Sequence, residues 1–267
     1  MILTTITPYW GRPDMLRLWV DNLKMNSHVE VQHLVYFVGE SLPIWWDSVA
    51  APNVVAILSV AHKLHNHCIG YYHNLGALAA DTEWIMKLDL DAFPNPKYFE
   101  SLLPLLLDAR PREWFNGGMF YLSKEHSPGM LKHGLSRSTY QIVMENRRFY
   151  SASPYLLPAA TNFVCRRKDY LELGGCSDLF KDYGWEDYQQ IYMLEKHWLG
   201  SDPLPGPLNL ENVTLRCREL SRRKAKELWL RSPWLCLLHH WHPSDKGIHM
   251  RWNRKVLYDY VQERRHT

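Results

Sequence analysis

The chain has 267 residues, 46% of them apolar and 22% charged, which is enough to bury the core of one large domain, or of a domain with an appendage, and argues against disorder. A formal net charge of +3 is too small to argue for a nucleic-acid partner, and it permits an anionic substrate without demanding one. Five scattered cysteines, Cys68, Cys165, Cys176, Cys217 and Cys236, lack the paired spacings of a zinc site or disulfide framework and read as reduced, mostly buried thiols.

In chain order, residues 2–7 form a β-branched strand stopped by Pro8, and residues 14–25 carry Leu16, Val20 and Leu23 at helical spacing. The opening residues show no basic segment followed by an apolar stretch, which predicts a cytoplasmic protein. No run reaches the roughly 18 apolar residues of a membrane-spanning helix. Strands are expected over 32–38 and 53–60, a helix over 68–80, and a strand over 84–90. Alternating short strands and helices predict a mostly parallel α/β sheet covered on both faces. Ligands collect at the carboxyl ends of such strands, where Thr7-Pro8-Tyr9, Gly39-Glu40 and Asp89-x-Asp91 all fall.

Asp89 and Asp91 interrupt an apolar run and, two apart on a strand, share a face. Two adjacent buried carboxylates lose hydration and repel each other, and a divalent cation would remove both penalties. Taken alone, the spacing is a weak signal, since many turns carry it.

A helix follows over 98–107 and a strand over 117–122, whereas 123–153, rich in His, Arg and Tyr, has little pattern and is expected to be a loop over the site. Gly174-Gly175-Cys176 leads into Tyr183-Gly184-Trp185-Glu186-Asp187 and a helix starting near Asp187. Acids there complement a helix dipole, or one serves as a general base beside an acceptor hydroxyl while the other orients it. Residues 214–230 form a basic helix, read first as a solvated face. His239, His240 and His242 end an apolar strand; a single imidazole added to the aspartates' ion is simpler than a zinc site.

In this order the pieces resemble the metal-dependent glycosyltransferases of the GT-A fold. The likeness is to family-2-like bacterial enzymes, with a second half similar to β-galactosyl- and N-acetylgalactosaminyltransferases. Thr4-Thr5-Ile6-Thr7-Pro8-Tyr9 with Arg12 resembles the first strand and nucleotide loop, and Asn74-x-Gly76 the helix before the metal motif. Lys87-Leu88-Asp89-Leu90-Asp91 resembles the Asp-x-Asp strand, Gly174-Gly175 with Trp185-Glu186-Asp187 the acceptor motif, and His240-x-His242-Pro243 the late histidine segment. Where many members carry an acid after the second strand, this chain has Val38-Gly39-Glu40, and Gly-Gly-Phe is replaced by Gly174-Gly175-Cys176.

The resemblance implies a Rossmann-like GT-A sheet flanked by helices. It divides the chain into a catalytic domain over 1–213, with a donor half (1–122) and an acceptor half (123–213), and a basic helical or irregular extension over 214–267. It implies Mn2+ or Mg2+ held by Asp89, Asp91 and His240, with His239 and His242 as competing ligands. Thr7, Pro8, Tyr9, Arg12, Glu40, Asn74, Lys87 and Asp89 would bind a nucleotide-sugar donor, UDP-linked. Gly118, Gly175 and Trp185 would contact substrate, Asp187 would act as base and Glu186 would assist. The implied acceptor is a glycan or lipid-linked saccharide, with peripheral contact at the inner membrane face through the basic helix and Trp229 to Trp241. Competing readings are a retaining transferase of the same fold, a nucleotide-sugar-binding protein without catalysis, and a nucleic-acid modifier drawn by Arg216 to Lys226.

Overall fold

The computed structural model describes residues 1–26, 28–49, 53–59, 69–125, 127, 129, 136–145, 158–181, 184–240 and 249–265. Its strands are β1 (Leu3–Tyr9), β2 (Val31–Val38), β3 (Val54–Ser59), β4 (Trp84–Lys87), β5 (Ala92–Pro94), β6 (Phe115–Tyr121), β7 (Pro158–Arg166) and β8 (Cys236–His239). The helices, numbered in order, are α1 (Pro13–Lys24), α2 (Trp46–Val49), α3 (Ile69–Ala79), α4 (Tyr98–Leu107), α5 (Arg137–Glu145), α6 (Arg167–Glu172), α7 (Glu186–Leu199), α8 (Val213–Arg231) and α9 (Met250–Arg264).

One sheet runs β3-β2-β1-β4-β7-β6-β8-β5. Every residue of β1 is buried, as befits a strand rich in β-branched side chains and covered on both faces. On one side α1, begun by Pro13, buries Leu16, Trp19, Val20 and Leu23. On the other α3 lies so close that a Cβ added at Gly76 would stand 2.3 Å from Ile6 Cγ2. From β3 to β4 the sheet is parallel, as the alternating pattern predicts. Beyond β4 it turns mixed, with β7 antiparallel to β4 and β6, β8 parallel to β6, and β5 antiparallel to β8. Thus the segment read as an extension after residue 213 supplies β8, an inner strand of the sheet.

The sheet has to curl. Residues 88–91 alone join β4 to β5, and five steps of chain reach at most about 18 Å. Four strand spacings of about 4.8 Å separate the same strands along the sheet, about 19 Å if flat. The connection is also folded, because Ala92 N–H donates to Asp89 O at 3.1 Å. That turn is why the strand expected through residue 90 stops at Lys87.

Three further sequence readings meet the structure here. Within 123–153, the described part includes α5, whose Tyr140 hydroxyl reaches Phe93 O at 2.5 Å and Pro94 O at 2.8 Å, so this stretch is anchored to β5 instead of forming only a loop. The remainder of that segment lies outside the described residues, as do Cys68, Tyr183, His242 and Pro243. In α8, much of the basic run is consumed internally: Arg223 pairs with the buried Glu195 of α7, Lys224 Nζ stands 3.7 Å from the same carboxylate, and Trp114 Nε1 donates to it at 2.8 Å. Cys165, Cys176, Cys217 and Cys236 are buried free thiols. No helix among the described residues is long and apolar enough to cross a membrane.

Candidate active site

The curl brings the end of β4 against the ends of β1, β6 and β8. Thr7 Oγ1 donates to Leu88 O at 2.7 Å, and Leu88 N–H to Ile6 O at 3.1 Å, which fixes the start of the Asp-x-Asp turn. Asp91 is 7% exposed; its Oδ2 accepts from Arg12 Nη1 at 2.9 Å, and its Oδ1 lies 3.5 Å from His239 Nε2. The His239 ring packs on Tyr121 with centroids 4.6 Å apart and the planes tilted by 34°, the two residues being register partners in β8 and β6. Burial pushes the Tyr121 hydroxyl pKa up, with Tyr188, Asp89 and Asp91 adding and Arg218 opposing.

His240 faces elsewhere. Its backbone N–H donates to Asp91 O at 2.9 Å, while its ring Nε2 lies 3.1 Å from Ser127 O. Successive strand residues point to opposite faces, so only one of the pair can face the carboxylate. Asp89, Asp91 and His239 offer hard oxygens and one imidazole, a donor set that fits Mn2+ or Mg2+. Among the described residues no three acidic, His or Cys side chains converge on one cation position; at the Asp-x-Asp turn, Asp91 and His239 face each other at 3.5 Å.

Across β4 from the first two strands lies the acid pair of α7. Gly174 and Gly175 adopt positive φ (84° and 63°). A Cβ at Gly175 would meet Asn74 Oδ1 at 2.4 Å. The Asn74 amide bridges this turn, donating to Cys176 O and accepting from Cys176 N–H, each at 2.8 Å. Trp185 precedes α7 in the left-handed region at φ 72°, a conformation rare for a bulky residue, and Gly184 before it has φ 114°. Gly184 N–H donates to Glu186 Oε2 at 2.7 Å, and Glu186 Oε1, fully buried, meets no hydrogen-bond partner among the described residues. Trp185 stacks on Tyr188 at 5.4 Å and donates its indole N–H to Met250 O at 3.1 Å. Asp187 forms an ion pair with Lys87, whose side chain is 3% exposed and sits two residues before Asp89. His73 of α3 stays neutral, its pKa lowered well below 6.5 by burial and then by the Lys87 ammonium.

No family model matches the sequence, and no curated protein sequence is similar to it. Solved structures are. The S. aureus TarS 1–349 structure in complex with UDP aligns at TM-score 0.50 and 12% identity, over 74% of this chain and 55% of that one. The chain therefore spans about half of the TarS structure. The chain has a GT-A fold. Glucosyl-3-phosphoglycerate synthase from Mycobacterium tuberculosis, solved with Mn2+ and UDP-glucose, aligns at TM-score 0.45 and 14% identity over 86% of this chain and 78% of that one. The catalytic domain of Drosophila β1,4-galactosyltransferase 7, in complex with xylobiose, aligns at 0.38 and 13% identity over 73% and 61%.

On this GT-A sheet, Thr7, Pro8 and Tyr9 close β1, with Tyr9 against Phe37 at 4.9 Å, and Arg12 follows on Asp91. Glu40, exposed after β2, faces Gly11, where an added Cβ would stand 3.3 Å from its Oε1. Gly118 lies inside β6, paired with Cys236, away from any turn. Lys87, Asp89 and Asp91 follow one another at the end of β4, where Lys87 holds Asp187; Trp185 and Glu186 lie beside Asp187 at the start of α7, and Asn74 braces the Gly175-Cys176 turn. Sequence reasoning missed His239's orientation, Tyr121, Tyr188, Arg218 and His73. The parity of β8 and β6 would have pointed to His239 and Tyr121 once their register was known.

Proposed function

We propose that this protein is a glycosyltransferase that moves a hexose or N-acetylhexosamine from a nucleotide sugar to a hydroxyl of a glycan or lipid-linked saccharide. The carrying observation is the meeting, on one GT-A sheet, of Asp89-x-Asp91 at the end of β4 with the Lys87-held carboxylate of Asp187. UDP as the carrier is supported by the UDP-bound TarS structure that the fold resembles. Tyr9, Arg12 and Glu40 at the ends of β1 and β2 line the nucleotide side.

The acceptor oxygen attacks the anomeric carbon as its proton passes to Asp187, and the bond from that carbon to the diphosphate breaks on the opposite face, giving inversion. Lys87 positions Asp187. Arg12 carries positive charge beside Asp91, toward the departing diphosphate. A divalent cation held by Asp91 and a histidine of the 239–242 segment would supply Lewis acidity to the leaving group when bound. Glu186 orients the acceptor through its buried carboxylate, and Trp185 offers an apolar face to a sugar ring.

Asp187→Asn is expected to lower transfer by at least about 100-fold while leaving nucleotide affinity within about twofold, since removing a general base typically costs about 10²–10⁴ in rate. Calorimetric titration with UDP beside a transfer assay checks it. Retained turnover would remove Asp187 from the reaction.

A further inference from the structure

The inner face of α8 meets the site at a point that the donor chemistry leaves unused. Asn116 Nδ2 donates to Ser221 Oγ at 2.7 Å, tying α8 to β6, and the Glu195 pairs tie it to α7. Arg218, three residues before Ser221 on the same side of the helix, is thereby held beside the start of α7. Its Nε donates to the Tyr188 hydroxyl at 3.0 Å. Tyr188 directly follows Asp187, and Arg218 and Tyr188 both stand within electrostatic reach of Tyr121, as do Asp89 and Asp91.

Arg218 is half-buried, and among the described residues its two terminal nitrogens meet neither a carboxylate nor another acceptor. The Tyr188 hydroxyl accepts from Arg218 and keeps its own proton to donate, also with no acceptor among those residues. Nearly buried Tyr188, stacked by Trp185, cannot easily swing away. A planar guanidinium fork with an adjacent hydroxyl matches the geometry of a phosphate or carboxylate.

Two anionic groups could meet such a fork: the donor's diphosphate, or a phosphate or carboxylate on the acceptor. Arg12 stands on the β1–β2 side of the Asp-x-Asp turn, where the nucleotide belongs. Arg218 lies on the β6–α7 side, hydrogen-bonded to the residue that follows Asp187, on the side where the attacking hydroxyl belongs. We propose that Arg218 and Tyr188 form an oxyanion subsite that reads a phosphate or carboxylate on the acceptor, so that the enzyme prefers anionic saccharides. This rests on the transferase reading above.

The test uses full-length protein saturated with UDP and Mn2+, so that donor-side cations are engaged, and titrates glycerol 3-phosphate, methyl glucuronide and glycerol by NMR. Wild type should bind one or both anions and not glycerol. Arg218→Gln should weaken anion binding by roughly tenfold or more and Tyr188→Phe by a smaller factor, while UDP affinity stays within about twofold. Arg218→Lys, which keeps the charge without the fork, should fall between and guards against misfolding, as does the unfolding midpoint of each variant. The ratio of glycerol 3-phosphate to methyl glucuronide affinity separates a phosphate reader from a carboxylate reader. Anion affinity equal in wild type and Arg218→Gln, or no anion binding in wild type, overturns the subsite. A matching loss of UDP affinity assigns Arg218 to the donor diphosphate and overturns it too. Failure of wild type to bind UDP, with Arg218-dependent anion binding intact, would sink the transferase reading and spare the subsite.

Discussion

At the scale of single residues, the site turns on which histidine faces Asp91. His239 Nε2 stands 3.5 Å from Asp91 Oδ1, whereas the His240 ring lies against Ser127 O. His239→Ala should therefore raise the Mn2+ concentration needed for half-maximal nucleotide binding by roughly 10-fold or more, the scale of losing a metal ligand or its support. His240→Ala should act mainly on stability. The reverse pattern would return the ligand to His240. The positions of Asp89 and Asp91 stood out because carboxylates inside an apolar run are costly and therefore conspicuous, and those of Glu186 and Asp187 because two acids open a helix, where the structure places them. The histidine was not, because a strand of four residues shows no parity of its own and takes it from pairing with β5 and β6.

At the scale of elements, packing of α3 on β1 positions Asn74, and through it the Gly175 turn. Gly76→Ala would drive a methyl to 2.3 Å from Ile6 Cγ2. Helix propensity favours the change by about 1 kcal/mol, but overpacking costs about 1–3 kcal/mol, so a net loss of up to about 2 kcal/mol is expected from urea unfolding. A more stable variant would show that α3 yields. β1, β2 and β3 were readable because strands covered on both faces appear as continuous apolar or β-branched runs. β7 and α9 went unread. β7, with Pro158, Ala159, Ala160 and Asn162, lacks both alternation and an apolar run, and α9 presents Arg, Lys, Tyr and Trp around a short apolar stripe. The basic run of α8 misled for another reason: its internal partners Glu195 and Tyr188 lie far off in sequence.

At the scale of the whole molecule, the curl of the sheet makes the fold and the site one object, and buried imidazoles couple both to pH. His33, packed near Trp19 and Phe99 with Nδ1 2.7 Å from Thr5 Oγ1, has its pKa lowered to about 3 by burial. His73 is lowered as well. Below about pH 6.5 the unfolded chain binds protons that the fold refuses, so the stability that each neutral histidine contributes is full above that pH and declines as pH falls, for His33 by up to about 1.4 kcal/mol per unit until about pH 3. Urea unfolding from pH 7 to 5 should show this slope, and His33→Gln should flatten it by one proton. An unchanged slope would mean that His33 takes up its proton without unfolding. The curl itself was not legible, since it follows from pairings of β5 with β8 and β8 with β6 that no local pattern announces.

The most direct test of the central claim is a panel of nucleotide sugars presented with Mn2+ and with chelator, reading thermal stabilisation and slow release of free nucleotide in wild type and Asp91→Ala. The account predicts that one UDP-sugar stabilises wild type and is slowly hydrolysed only with metal, and that Asp91→Ala loses both responses. Equal responses with chelator, or no response to any donor, would contradict it.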